Sequence, residues 1–183
     1  MKKPNLNRMW EIWIPLDIPP RVFQAHQGTF LEHQEWFNKV VDAIRLQVCE
    51  VVSILRSKQI VDWYHFLIHP KDGKPFIHIR VSIREDVDSK DFLESLPSYC
   101  LDPKPIERKA VELIDGIDKP LLKNEEIEEA WRIIGEQSEW ITHMIEIYQN
   151  KEIPIKNFAQ FMHFYTNMMS LGHQTILLCC ISY

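Results

Sequence analysis

With 183 residues, the chain has the length of one domain and buries roughly 70% of its extended-chain surface, so neither disulfides nor metals are needed to hold it. A net charge of −5, with 26% charged residues of both signs mixed along the chain, argues against nucleic acid as the main partner, because phosphate binding calls for a basic surface. The 45% hydrophobic content is that of a globular protein, and five Gly against eleven Pro point to short, stiff connections.

In chain order, Trp10-Glu11-Ile12-Trp13-Ile14-Pro15-Leu16 is rich in aromatic and β-branched residues and predicts a first strand. Asp17 to Gly28 contains Pro19-Pro20 and reads as a loop. Thr29-Phe30-Leu31-Glu32 has the form of a capping box, in which the Thr oxygen and the Glu carboxylate each satisfy a free backbone amide. Phe37, Val40, Val41, Ile44, Val48, Val51, Val52 and Leu55 then keep the 3-4-3-4 rhythm of one long helix.

Ile60 to His69 and Phe76 to Arg84 flank a segment with Asp72-Gly73 at its centre, a strong hairpin signal between two β-rich runs. With those two residues as the loop, Ile68 pairs with Ile77, Phe66 with Ile79, His65 with Arg80 and Tyr64 with Val81. Alternation along the strands then sorts the hairpin into two faces. Tyr64, Phe66, Ile68, Ile77, Ile79, Val81 and Ile83 form a core face. Trp63, His65, His69, His78, Arg80, Ser82 and Arg84 form a polar one.

Asp88 to Leu96 reads as a short helix, and Ala110 to Ile114 as a weak candidate for a fourth strand. Asn124 can cap a helix whose stripe is Ile127, Ala130, Trp131, Ile134, Ile141, Met144, Ile145 and Tyr148, with Ser138 on the same stripe. After Pro154, a last helix from about Asn157 carries Phe158, Phe161, Met162, Tyr165, Met168 and Met169 on one side and His163 and Asn167 on another. The expected fold is α+β: a ferredoxin-like βαββα antiparallel sheet with a C-terminal helical pair. The whole chain is taken as one domain, with a sandwich part over 1–118 and a helical part over 119–183.

Cys49, Cys100 and the adjacent Cys179-Cys180 show no CxxC spacing and read as reduced, packed thiols of a cytosolic protein. Glu11, Pro15 and Asp17 interrupt any signal core behind Met1-Lys2-Lys3, and no stretch approaches the ~20 apolar residues of a membrane span. A cytoplasmic location without a membrane partner is therefore expected.

The polar hairpin face is the first place to look for chemistry. Arginines and histidines on a rigid strand suit a carboxylate or phosphate, because the guanidinium fork gives two parallel charge-assisted hydrogen bonds. The alternative is a solvated outer face, although Trp63, His65 and His78 are costly to leave in water. The chain has eight His, yet His65 and His69 lie ~13 Å apart along a strand and Arg80 opposes His65, so no metal is expected. No Gly-rich phosphate loop or nucleophile signature occurs, and no cofactor is expected. Ser138 is either a small residue that lets a helix pack closely or a working hydroxyl. His163 and Asn167 are either a satisfied polar pair or a proton-transfer residue with its orienting amide.

Four segments, Trp63-Tyr64-His65-Phe66, His78-Ile79-Arg80-Val81-Ser82, Glu136-Gln137-Ser138-Glu139 and His163-Phe164-Tyr165-Thr166-Asn167, fall in an order that resembles the C-terminal elimination domain of class I lanthipeptide dehydratases, also called the thiopeptide-type bacteriocin biosynthesis domain. The resemblance spans about Arg8 to Gly172. It implies a lyase step in peptide modification, in which glutamate is expelled from a glutamylated Ser or Thr to leave a dehydroamino acid. Arg80 would hold the departing glutamyl group and His163 would move a proton. Trp63, His65, His78, Arg84, Ser138 and Asn167 would line the substrate site, with Arg84 or His78 stabilising the developing enolate.

A precursor peptide would be the partner, and a separate protein would supply glutamylation. Two features depart from the family pattern: Ser82 stands where H-x-R-x-R has its second Arg, and Ile106 to Gly116 lacks a Tyr-Gly-Gly-type segment. Three alternatives stay open: cycloaddition as in pyridine-forming relatives, a non-catalytic peptide- or anion-binding module, and a homo-oligomerising scaffold.

Overall fold

The structure, a computed structural model, describes residues 2–17, 39–71, 74–107 and 124–149. Strands β1 (Met9–Pro15), β2 (Val61–Lys71), β3 (Lys74–Ile83) and β4 (Leu101–Pro105) form one antiparallel sheet in the order β2-β3-β1-β4. Helix α1 (Cys49–Ser57) precedes β2, α2 (Ser89–Ser95) follows β3, and the long α3 (Asn124–Gln149) follows β4. The architecture is α+β. The capping box at Thr29, the strand candidate Ala110 to Ile114, the last helix with His163 and Asn167, and Cys179-Cys180 lie outside the described residues.

The hairpin has the expected register: Tyr64 with Val81, His65 with Arg80, Phe66 with Ile79 and Ile68 with Ile77. Its core face packs against the helix before β2, where Val40, Ile44, Val48, Val51, Val52 and Leu55 are buried with Ile12, Ile14, Ile77, Ile79 and Val81. That helix contains a π-helical turn, Ile44–Val48, in which the Cys49 amide reaches back to the Ile44 carbonyl. The four-residue steps from Val40 to Ile44 to Val48 suit the wider turn, and the stripe returns to α spacing after it. On β2 the pairing steps from Val61 with Ile83 to Trp63 with Ser82. Asp62 is thus an extra residue, a bulge that sends Val61 to the core face and Trp63 to the other.

The fourth strand, Leu101-Asp102-Pro103-Lys104-Pro105, has the composition of a turn. It pairs because it lies at an edge. Ile106 donates its amide to the Met9 carbonyl, so by alternation Lys104 faces β1 while Pro103 and Pro105, which have no N–H to give, face outward. A register shift opposite Glu11 and Trp13 accompanies Asp102, whose φ of 47° is a left-handed value that Asp tolerates.

The polar hairpin face is not solvated. The first half of α3 lies across it, and Ile127, Ala130, Trp131 and Ile134 form a second core with Leu6, Met9 and Trp63. Further along, Ile141 and Ile145 join the first core, so α3 passes over the outer edge of β2 from one side of the sheet to the other. The expected stripe of this helix is buried, Ser138 included; the side chains of Met144 and Tyr148 lie outside the described set. Gly135, also buried, sits on the strand-facing side between Trp131 and Ser138, where the missing Cβ lets the backbone come close.

Trp63 is wholly buried and donates its indole N–H to the Trp131 carbonyl at 2.9 Å. Trp63→Ala is expected to cost about 3–5 kcal/mol in urea unfolding, and Trp63→Phe distinctly less because much of the ring volume is kept. Equal losses would show that the hydrogen bond, and not the packing, carries the effect.

Candidate functional site

In-register pairing arranges the face under α3 in cross-strand rows. One row is Trp63–Ser82–Met9, the next His65–Arg80–Glu11–Lys104, and the third Leu67–His78–Trp13 with Leu101 beyond. The first row is sealed by the second core. The middle row is polar on all four strands, and it is graded: His65 and Arg80 are buried, the Glu11 side chain is 14% exposed and that of Lys104 61%.

Three of the four sequence segments meet here. The Ser138 hydroxyl lies 2.9 Å from His65 Nδ1 and accepts the Phe66 amide at 3.3 Å. The Arg80 guanidinium sits over the Trp131 ring, 5.2 Å from its centre, a cation–π contact strengthened by desolvation. Trp63, His65 and Trp131 are mutual ring neighbours, with centroids 5.7 to 6.4 Å apart. Ser138 is therefore small enough for close packing, and its hydroxyl is engaged by the strand below.

His78 lies on the same strand face as Arg80, two residues and about 7 Å away. Its ring stacks flat on Trp13, with centroids 4.0 Å apart and planes at 4°, and its Nε2 lies 3.1 Å from Glu11 Oε2. Lys104 Nζ reaches the other Glu11 oxygen at 3.1 Å. Burial works to raise the Glu11 pKa, but the Lys104 hydrogen bond and the charges of His78 and Lys104 outweigh it and hold the carboxyl below 4.5.

Arg84 does not join this group. It stands about 13 Å along the strand from Arg80, and its guanidinium grips both oxygens of Asp86 at 2.9 and 3.0 Å. Ser82, at the position of the second Arg of the family pattern, is buried and accepts the Asn5 amide at 2.9 Å, which docks the N-terminal segment.

Glu11 and Lys104 are the residues that reading the hairpin alone misses. Glu11 has a sequence signal: it alternates with Ile12 and Ile14, so a buried first strand must turn it toward the polar face. Lys104 has none, because its strand does not look like one. No group of His, Cys, Asp and Glu among the described residues could hold a metal, and no described helix is long and apolar enough to cross a membrane.

On the opposite side, α3 is fastened by the Tyr64 hydroxyl. Thr142 gives its own proton to the Glu139 carbonyl, so Tyr64 donates to Thr142 Oγ1 at 2.7 Å. Burial pushes the Tyr64 pKa up to about 12. Arg56, lying over the Tyr64 ring, bonds Glu139 at 2.7 Å. Cys100 is a half-buried thiol whose pKa is raised to about 12, by burial first and the Glu50 charge second. No protein-family model matches the chain, and neither curated proteins nor solved structures gave a match.

Because Glu11 has a lowered folded pKa, its ion pairs stabilise the fold above 4.5, the value for an unperturbed group, and that contribution is lost as pH falls through the folded pKa. The stability gap between wild type and Glu11→Gln is expected to be widest near neutral pH and to close below pH 4.5. A gap unchanged down to pH 3 or so would contradict the assignment.

Proposed function

We propose that this face is the site of a glutamate-eliminating lyase of peptide modification, acting on a glutamylated Ser or Thr of a precursor peptide that a separate protein has esterified. The observation that carries the reading is the meeting of Trp63, His65, Arg80 and Ser138, from three separated segments, at one point under α3. The finer fold reading goes with it. Strand, helix, two strands, helix and strand, with sheet order β2-β3-β1-β4, support a ferredoxin-like sandwich extended by C-terminal helices.

In this reading Arg80 holds the carboxylate of the glutamyl group, a task suited to a guanidinium fixed by its stack on an indole. A base removes the Cα proton of the esterified residue, the Cα–H electron pair forms the Cα=Cβ bond, and the Cβ–O bond breaks to release glutamate as a carboxylate. His163 is the residue that the resemblance assigns as base, with Asn167 orienting it. Negative charge develops on the carbonyl oxygen next to Cα. His78, rather than the distant Arg84, is the cationic or hydrogen-bonding group on the same stretch of sheet that could meet it. The work belongs in the cytoplasm, where precursor peptides are made.

A second reading, a module that binds an anionic peptide without acting on it, is favoured by one observation: Ser138 is committed to the Phe66 amide and His65, a structural use of a residue the lyase reading places in the site.

Mass spectrometry of O-glutamyl-Ser and O-glutamyl-Thr peptides separates the two. Wild type is expected to release glutamate, and Arg80→Ala and His163→Ala to slow release by about 100-fold or more. Arg80→Lys, which keeps the charge and loses the fork, should fold and still be slow. Binding of the peptide without release would establish the module, and release that persists in all the variants would place the chemistry elsewhere.

A further inference from the structure

We propose that the groove between α1 and the second half of α3, on the sheet face opposite the polar row, binds a free α-amino acid, with the ligand's carboxylate on Arg56 and its ammonium on Glu139. The groove is separate from the row under the first half of α3, and the proposal does not rest on the lyase reading.

Helical spacing builds both walls of the groove. Ser53, Arg56 and Ser57 follow at three- and four-residue steps along one side of α1, and Glu139 and His143 stand one turn apart on α3. Val52 and Thr142, each 6% exposed, close it toward the core. The space between the walls is about 500 Å³, within the roughly 300–1,000 Å³ of small-molecule sites. Tyr64 ties the two walls together: the Arg56 guanidinium lies over its ring, 5.1 Å from the centre, and its hydroxyl bonds Thr142 at 2.7 Å. The charged groups are therefore set on packed helices and not on loops.

Arg56 and Glu139 meet by one corner only. Arg56 Nη2 donates to Glu139 Oε1 at 2.7 Å, while Arg56 Nε and Nη1 and Glu139 Oε2 form no hydrogen bond among the described residues. The two side chains are 43% and 39% exposed, so a ligand reaches both from solvent without displacing a packed residue. A free guanidinium edge alone would suit any anion, and a free carboxylate oxygen any cation. Together they suit a ligand that carries both signs within a few bonds, as the ammonium and carboxylate of an α-amino acid do at neutral pH. An anion lacking the ammonium would meet Glu139 as a like charge, and a cation lacking the carboxylate would meet Arg56. The Ser53 hydroxyl and the exposed His143 ring, also without a partner among the described residues, flank the pair along the two helices and favour a polar side chain on the ligand.

The test is titration calorimetry of the full chain against the common amino acids, each added free. Saturable binding of at least one polar amino acid is expected. Blocking either end of that ligand, by N-acetylation or as the α-amide, should weaken binding by about 10-fold or more, because each removes one charge-assisted pair. Arg56→Gln and Glu139→Gln should weaken it similarly while the circular dichroism spectrum stays that of wild type. Amide shift changes on binding should centre on Ser53, Arg56 and His143. The proposal is overturned if no amino acid binds, if a blocked derivative binds as well as its parent, or if the shift changes centre on Arg80 instead. The blocked ligands are tested on wild type, so the result stands even where a variant fails to fold.

Discussion

A strand at the edge of a sheet carries unpaired amides and carbonyls, and β2 is such a strand among the described residues. The way α3 meets that edge governs the rest of the molecule. The Phe66 amide points away from β3 and is taken by the Ser138 hydroxyl, which also reaches His65. Two turns before Ser138 and one turn after it, the contacts lie on opposite faces: Trp131 accepts from Trp63 and roofs Arg80, while Thr142 accepts from Tyr64. From Trp131 to Thr142 the helix advances only about 16 Å. Within that length it closes the edge, buries a polar face and completes the apolar core behind it.

The polar face exists because of that roof. Without α3, His65 and Arg80 would be ordinary solvated side chains of an antiparallel sheet. Beneath it they become a row that runs across four strands, buried at His65 and Arg80 and opening to water through Glu11 toward Lys104. Arginine keeps its charge when buried, so it has to be met by electron-rich surroundings, here an indole face. Glu11 keeps its charge because Lys104 and His78 hold it, despite a burial that works the other way. A row of fixed positive and negative groups, set beside an oriented imidazole, is pre-arranged for an anionic group; that arrangement, and not any single residue, supports the elimination chemistry proposed here.

How much of this the sequence shows depends on where the signal is local. The hairpin register follows from Asp72-Gly73 and strict alternation, and the pairing of His65 with Arg80 was readable from those alone. The stripe of α3 was readable from its period. The strand Leu101–Pro105 was not, since Pro103 and Pro105 oppose strand formation everywhere except at an edge, and only the fold determines where the edge is. Lys104 was hidden with it. Arg84 shares the alternation of Arg80, yet β3 ends at Ile83 and Asp86 takes the guanidinium. The burial of the hairpin's second face was also out of reach, because it depends on a helix about 60 residues further along the chain.

The most direct test of the account is hydrogen exchange at the Phe66 amide. If α3 closes the edge of β2 through Ser138, that amide exchanges only on global unfolding in wild type, and Ser138→Ala speeds it by orders of magnitude while amides inside β3 stay protected. Exchange at the rate of an open edge strand in the wild-type protein would contradict the account, and with it the buried polar row on which the proposed chemistry depends.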